Sequence, residues 1–106
     1  MKKSKNKFQN MKKGYLIVRI NIKNAELFQQ YPLLSIKAVE KFGGKYLIRG
    51  GTFDVVEGEW PAERTTVVEF ESFEKAKEFY SSIEYDEAKK VRQNSADTDF
   101  ILIEGY

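Results

Sequence analysis

Two glycine pairs, Gly43-Gly44 and Gly50-Gly51, bracket the five residues Lys45-Tyr46-Leu47-Ile48-Arg49. A short run with apolar residues between paired glycines reads as a strand, with a helix ending before it and the chain turning back after it. Arg49 closes this strand. Beyond Glu57-Gly58-Glu59-Trp60-Pro61, Arg64 opens the next one, so two arginines stand near strand ends. The feature constrains the fold more tightly than the chemistry.

The rest of the pattern fills in around it. From Tyr15 to Ile22, Leu16, Val18, Ile20 and Ile22 share one face and Tyr15, Ile17, Arg19 and Asn21 the other, which is the two-residue period of a strand. Asn24 is placed to cap a helix whose apolar residues Leu27, Phe28, Tyr31, Leu34, Ala38, Val39 and Phe42 recur at three and four. Pro32 should bend or divide that helix near Tyr31, because it has no amide hydrogen and crowds the preceding turn. Strands are expected over 45–49, with an extension at 53–57, and over 64–71. Ser72 caps a second helix through Phe73, Ala76, Phe79, Tyr80 and Ile83; a short helical piece carries Tyr85, Ala88, Val91 and Arg92; the last strand is 100–104. The order β-α-β-β-α-β is the ferredoxin-like arrangement, an α+β fold with a four-stranded antiparallel sheet and both helices on one face.

A chain of 106 residues is one domain with one core. Six lysines lie in residues 1–13 with no acid among them, and removing them from the formal +2 leaves the remainder at −4. We read 1–13 as a disordered basic tail and 14–106 as the folded domain. An acidic body argues against nucleic acid as a partner, since phosphate contacts need basic side chains gathered on the folded surface. Cysteine and histidine are both absent, which removes disulfides, thiol nucleophiles, the usual zinc sites and any Ser-His or Cys-His pair. No cofactor or metal is expected. The lack of cysteine fits a reducing cytoplasm, the expected location, and neither a signal peptide nor a membrane-crossing run is expected.

Two helices cover one face of such a sheet. Leu16, Val18, Ile20, Val68, Phe70, Phe100 and Leu102 are assigned to that face. The opposite face then shows Ile17, Val67, Ile101 and Ile103 beside Tyr15, Arg19 and Glu69, an aliphatic patch that needs a cover. A second copy of the same face supplies one, giving a homodimer built sheet on sheet. Arg19 and Glu69, on neighbouring strands, are expected to pair across them.

The run from Gly43 to Gly51, Glu57-Gly58-Glu59-Trp60-Pro61, Arg64, Glu69-Phe70, Ser72, Ala76, Phe79-Tyr80, Ser82, Tyr85 and Arg92, taken in order, resembles the DUF thirteen-thirty family of uncharacterised small bacterial proteins. The resemblance covers Gly14 to Tyr106. Phe79 stands where that family often has tryptophan, and Asn24 where it often has aspartate. The resemblance implies a dimeric α/β barrel. That superfamily includes cofactor-independent monooxygenases, lactone isomerases, dehydratases and haem-binding enzymes, so it implies a shape without choosing a reaction.

Several residues are candidates for chemistry. Arg49 and Arg64 flank the excursion from Gly50 to Glu63 and suit a carboxylate or phosphate on a small ligand; either also suits holding the loop through backbone carbonyls or an acid such as Asp54 or Glu57, the role favoured for Arg64. Tyr46, Tyr80, Tyr85 and Trp60 complete the ligand-binding candidates; Trp60-Pro61 also reads as a hydrophobic lid or dimer contact, with core packing favoured for the tryptophan, and a buried helix tyrosine is more often a core residue. With no histidine, acid-base work falls to Tyr80, Glu69 or Glu57, with Tyr46 or a lysine in reserve. Arg92 is expected to pair at the surface with Glu84, Glu87 or Asp97. The residues thus admit a homodimer that binds a small anionic or aromatic metabolite, and the resemblance implies metal-free isomerase, lyase or cofactor-independent monooxygenase chemistry for it. They also admit a noncatalytic dimerisation module.

Overall fold

The computed structural model describes residues 12–106, so the lysine-rich segment 1–11 of the expected tail lies outside the described residues. Strand β1 spans Gly14–Ile22; a one-turn helix α1 (Ala25–Phe28) and helix α2 (Tyr31–Lys41) follow. After β2 (Lys45–Arg49) and β3 (Arg64–Phe70) come α3 (Phe73–Tyr80), α4 (Ile83–Ser95) and β4 (Ala96–Glu104). The strands lie in the order β2-β3-β1-β4, every neighbouring pair antiparallel. This is the ferredoxin-like sheet.

Local signals place the elements. The Asn24 side chain accepts from the Leu27 amide, and Ser72 and Ser82 accept from those of Lys75 and Tyr85, satisfying N-terminal amides that have no partner within their helices. Pro32 divides the first helical run, since α1 stops at Phe28 and α2 restarts with the proline in its first turn, where no amide hydrogen is needed. Gly43 ends the region of α2 at φ 72°, a left-handed conformation that a side chain would strain. The expected extension at 53–57 does not form. Those residues are exposed and outside any strand. Strand β4 begins four residues earlier than expected, and α4 is a full helix of 13 residues.

One face of the sheet carries the core. Leu16, Val18, Ile20, Val68 and Phe70 meet Phe28, Ala38, Val39, Ala76, Phe79, Tyr85 and Ala88 from the helices. Helices α3 and α4 approach the sheet closely, whereas α2 packs chiefly on α4. Space is left between α2 and the sheet. Among the described residues no helix is long and apolar enough to cross a membrane.

Registration brings the helix-free face into rows. Ile48, Val67, Ile17 and Ile101 lie side by side across all four strands, flanked on one side by Lys45, Glu69, Tyr15 and Ile103. On the other side come Thr65, Arg19 and Asp99. The expected Arg19–Glu69 pair does not form, because Arg19 sits opposite Thr65 and Glu69 opposite Tyr15. Arg19 instead bridges to Asp99 at 3.1 Å, and Glu69 accepts from the Tyr15 hydroxyl at 3.1 Å.

Candidate functional site

The position of Arg49 depends on one extra residue. Strand β2 pairs Tyr46 with Val68 and then Ile48, not Leu47, with Val67; Arg49 follows opposite Thr66. A regular strand would have left Arg49 on the helix-free face, because successive side chains alternate. The bulge at Leu47 reverses that parity, sending Ile48 into the apolar row and Arg49 to the helix side. Gly50, at φ 68°, then turns the chain away while its amide bonds to the Thr65 carbonyl at 2.9 Å.

Arg49 thereby meets Arg64 at a cavity of about 70 Å³ between α1–α2 and the sheet. Leu16, Val18, Ile20, Thr66 and Val68 form its floor, Phe28, Tyr31, Pro32, Ser35 and Val39 its roof, with Tyr46 and Phe79 in the remaining walls. The Arg49 guanidinium lies 4.8 Å from the centre of the Tyr46 ring and that of Arg64 6.0 Å from Phe28. Neither pairs with Asp54 or Glu57. Among the described residues the ion pairs all lie elsewhere. No carboxylate lines the cavity, so a bound molecule would meet guanidiniums, phenols and two hydroxyls in an apolar chamber. Those groups donate hydrogen bonds and hold negative charge; they supply no carboxylate base.

Behind the roof lies a buried polar chain. The hydroxyls of Tyr31 and Tyr85 are 2.6 Å apart, Arg92 Nε donates to Tyr85 at 3.3 Å, and Arg92 Nη1 donates to Thr98 Oγ1 at 2.6 Å. Arg92 is only 3% exposed, stacks 4.7 Å from the centre of Phe100, and has no hydrogen-bond partner for Nη2 among the described residues. The expected surface pairing with Glu84, Glu87 or Asp97 is thus overturned. Residues 85, 88 and 92 repeat at three and four on one helix face, and that spacing places Arg92 in the buried stripe with Tyr85 and Ala88. The spacing was the available signal, and the charge masked it.

Burial raises the Tyr31 phenol well above its usual range, with the Tyr85 phenol adding to the effect, and burial likewise raises Tyr85 against the opposing pull of Arg92. Both are neutral near pH 7. A phenol with a raised folded-state pKa contributes stability that is complete below the unfolded value near 10 and is lost as pH climbs past it. The melting temperature should therefore fall as pH rises above about 10, and more steeply in the wild type than in Tyr31→Phe; equal slopes would contradict the burial of this phenol.

The other candidates lie apart. Tyr80 packs on Phe100 and Tyr85 beneath Lys89 and is not a wall of the cavity. Glu69 is on the opposite sheet face. Glu57 and Trp60 belong to a second, apolar groove of about 670 Å³ between β2 and the excursion, lined also by Leu47, Ile48, Phe53, Val55 and Val56. Trp60 is not a core residue: it is 43% exposed, donates to Thr65 Oγ1 at 3.1 Å and lies 5.0 Å from the Arg19 guanidinium. The returning limb of the excursion is tied to β1, where Asn21 donates to the Pro61 carbonyl and accepts from the Glu63 amide, and Glu63 accepts from the Ile22 amide.

Residues 13–106 match the family model described as "Domain of unknown function (DUF1330)". The fold is similar to that of RPA0582, a protein of unknown function from Rhodopseudomonas palustris, at TM-score 0.72 and 20% identity over 100% of this chain and 94% of that one. It is also similar to SnoaB, a cofactor-independent oxygenase from Streptomyces nogalater, at TM-score 0.57 and 6% identity over 90% and 94% of the chains. A dimeric ferredoxin-like protein of unknown function from Thermobifida fusca aligns at TM-score 0.54 and 8% identity over 90% and 92%. No curated protein matches the sequence. Similarity at these identities establishes a shared fold.

Proposed function

Because the chain belongs to the DUF1330 family, which names no activity, we propose a function from the cavity itself: the protein binds a short aliphatic carboxylate, one per subunit of a homodimer. The observation that carries this reading is the pair of guanidiniums, Arg49 and Arg64, at a chamber with apolar floor and roof and no acid of its own. A guanidinium fork suits a carboxylate, and the apolar walls suit a hydrocarbon chain. Size selects among ligands. A water-sized group needs roughly 10–15 Å³ of such space; at about 70 Å³ the chamber takes a chain of a few carbons, with the carboxylate held at its mouth by Arg49 and Arg64, both exposed.

The dimer reading rests on the helix-free face. Its central row is wholly aliphatic, Ile101 and Ile103 are 51% and 47% exposed, and the row runs through Ile48 into the apolar groove under the excursion. A second copy, related by a two-fold axis, would bury both rows together and seat part of each subunit against the other's groove. The dimeric Thermobifida fusca protein with the same fold supports the reading.

Calorimetric titration with pentanoate tests the ligand. The wild type should bind, and Arg49→Ala and Arg64→Ala should each weaken binding about 10- to 100-fold, the range for loss of a charged hydrogen-bond partner. The dimer should survive both changes. Unchanged affinity in both variants would overturn the assignment.

A further inference from the structure

The hydrogens of the buried chain can be counted. Tyr85 is wholly buried, and its oxygen already accepts from Arg92 Nε. One hydrogen lies between the two phenol oxygens, from Tyr31 or from Tyr85. If Tyr31 gave it, the Tyr85 oxygen would accept twice and its own hydrogen would have no acceptor among the described residues, a costly state for a buried donor. If Tyr85 gives it, Tyr85 donates once and accepts once and is satisfied. The hydrogen left over then belongs to Tyr31, which is a wall of the cavity, as Tyr85 is not.

Arg92 reinforces that order. It is a buried cation with no carboxylate partner, and a hydroxyl that accepts from a cation becomes a stronger donor in turn. We infer that Arg92, Tyr85 and Tyr31 form a polarised donor chain ending in the cavity, so that the preferred ligand is an acid with a second acceptor oxygen, a keto or enolate oxygen, on its inner portion. The inference rests on the carboxylate reading above and refines its substrate class. Tyr31 is the binding residue; Arg92 and Tyr85 are positioning residues.

Two measurements separate this inference from the reading beneath it. The first needs no ligand: hydroxyl-proton NMR on protein labelled with carbon-13 at tyrosine Cζ should show a slowly exchanging, downfield proton correlated with the Tyr85 ring. Arg92→Gln, which keeps a donor and removes the charge, should move that proton upfield while the other resonances of the fold stay in place. A protected proton on Tyr31, or none on Tyr85, overturns the chain. The second compares 4-oxopentanoate with pentanoate. The wild type should favour the keto acid about tenfold, the worth of one hydrogen bond, and Tyr31→Phe should bring the two together. If both acids bind equally to the wild type, the preference for a second acceptor oxygen is refuted and the carboxylate site stands. If neither binds, the carboxylate site is refuted, and with it the ligand preference inferred here, while the proton assignment decides the chain's orientation.

Discussion

Tyr85→Ala should lower the free energy of unfolding by about 4–5 kcal/mol, a large part of the ~5–15 kcal/mol available to a domain of this size. The ring is wholly buried and meets Tyr31, Phe79, Tyr80 and Phe100, so its removal opens a cavity where two helices join the sheet. Its hydroxyl is also an oxygen acceptor for the buried Arg92. A guanidinium that loses such a partner away from water adds to the cost of the cavity. Tyr85→Phe separates the two contributions, since it keeps the packing and should cost about 1–3 kcal/mol. Urea unfolding measures both. A loss below 1 kcal/mol in the alanine variant would mean that the aromatic cluster does not anchor α4.

Ile101→Asp should separate the subunits of the proposed dimer. Ile101 is half exposed in the single chain, so aspartate is tolerated there in a monomer. In the proposed dimer the single interface would carry two carboxylates, one from each subunit, in the middle of an aliphatic row, with no cation in that row to meet them. At about 4 kcal/mol or more for burying such charge, the dissociation constant should rise at least about a thousandfold. Sedimentation equilibrium should show monomer at concentrations where the wild type is dimer, with an unchanged melting profile for the isolated fold. A variant that remains dimeric would place the interface on another surface.

The sequence made the framework legible where local chemistry decides structure. Asn24 and Ser72 announce two helix starts, Pro32 divides a helix, and the parity of Leu16, Val18 and Ile20 identifies the buried face of β1. The site was less legible because its key placements depend on registration. The bulge at Leu47 moves Arg49 from one face to the other, and an offset of four residues denies Arg19 its expected partner. No propensity marks either event. Arg92 shows a different difficulty, as a charged residue among exposed acids on a helix reads as solvated until its spacing from Tyr85 is weighed against its charge. For Trp60 the large apolar ring favours core packing over a lid or dimer contact, yet the ring lies on the helix-free side with Arg19 and Thr65, where the second copy of the proposed dimer would cover it.

Two arginines meet at one apolar chamber in each subunit of the proposed dimer. Native mass spectrometry of the gently purified protein, recorded before and after adding 4-oxopentanoate, tests that most directly. The expected result is a species of twice the chain mass that takes up as many as two acids, releases them on denaturation, and loses this capacity in Arg49→Ala. A dimer that stays bare at saturating acid would contradict the ligand site, and a bare monomer would contradict the covered sheet face as well.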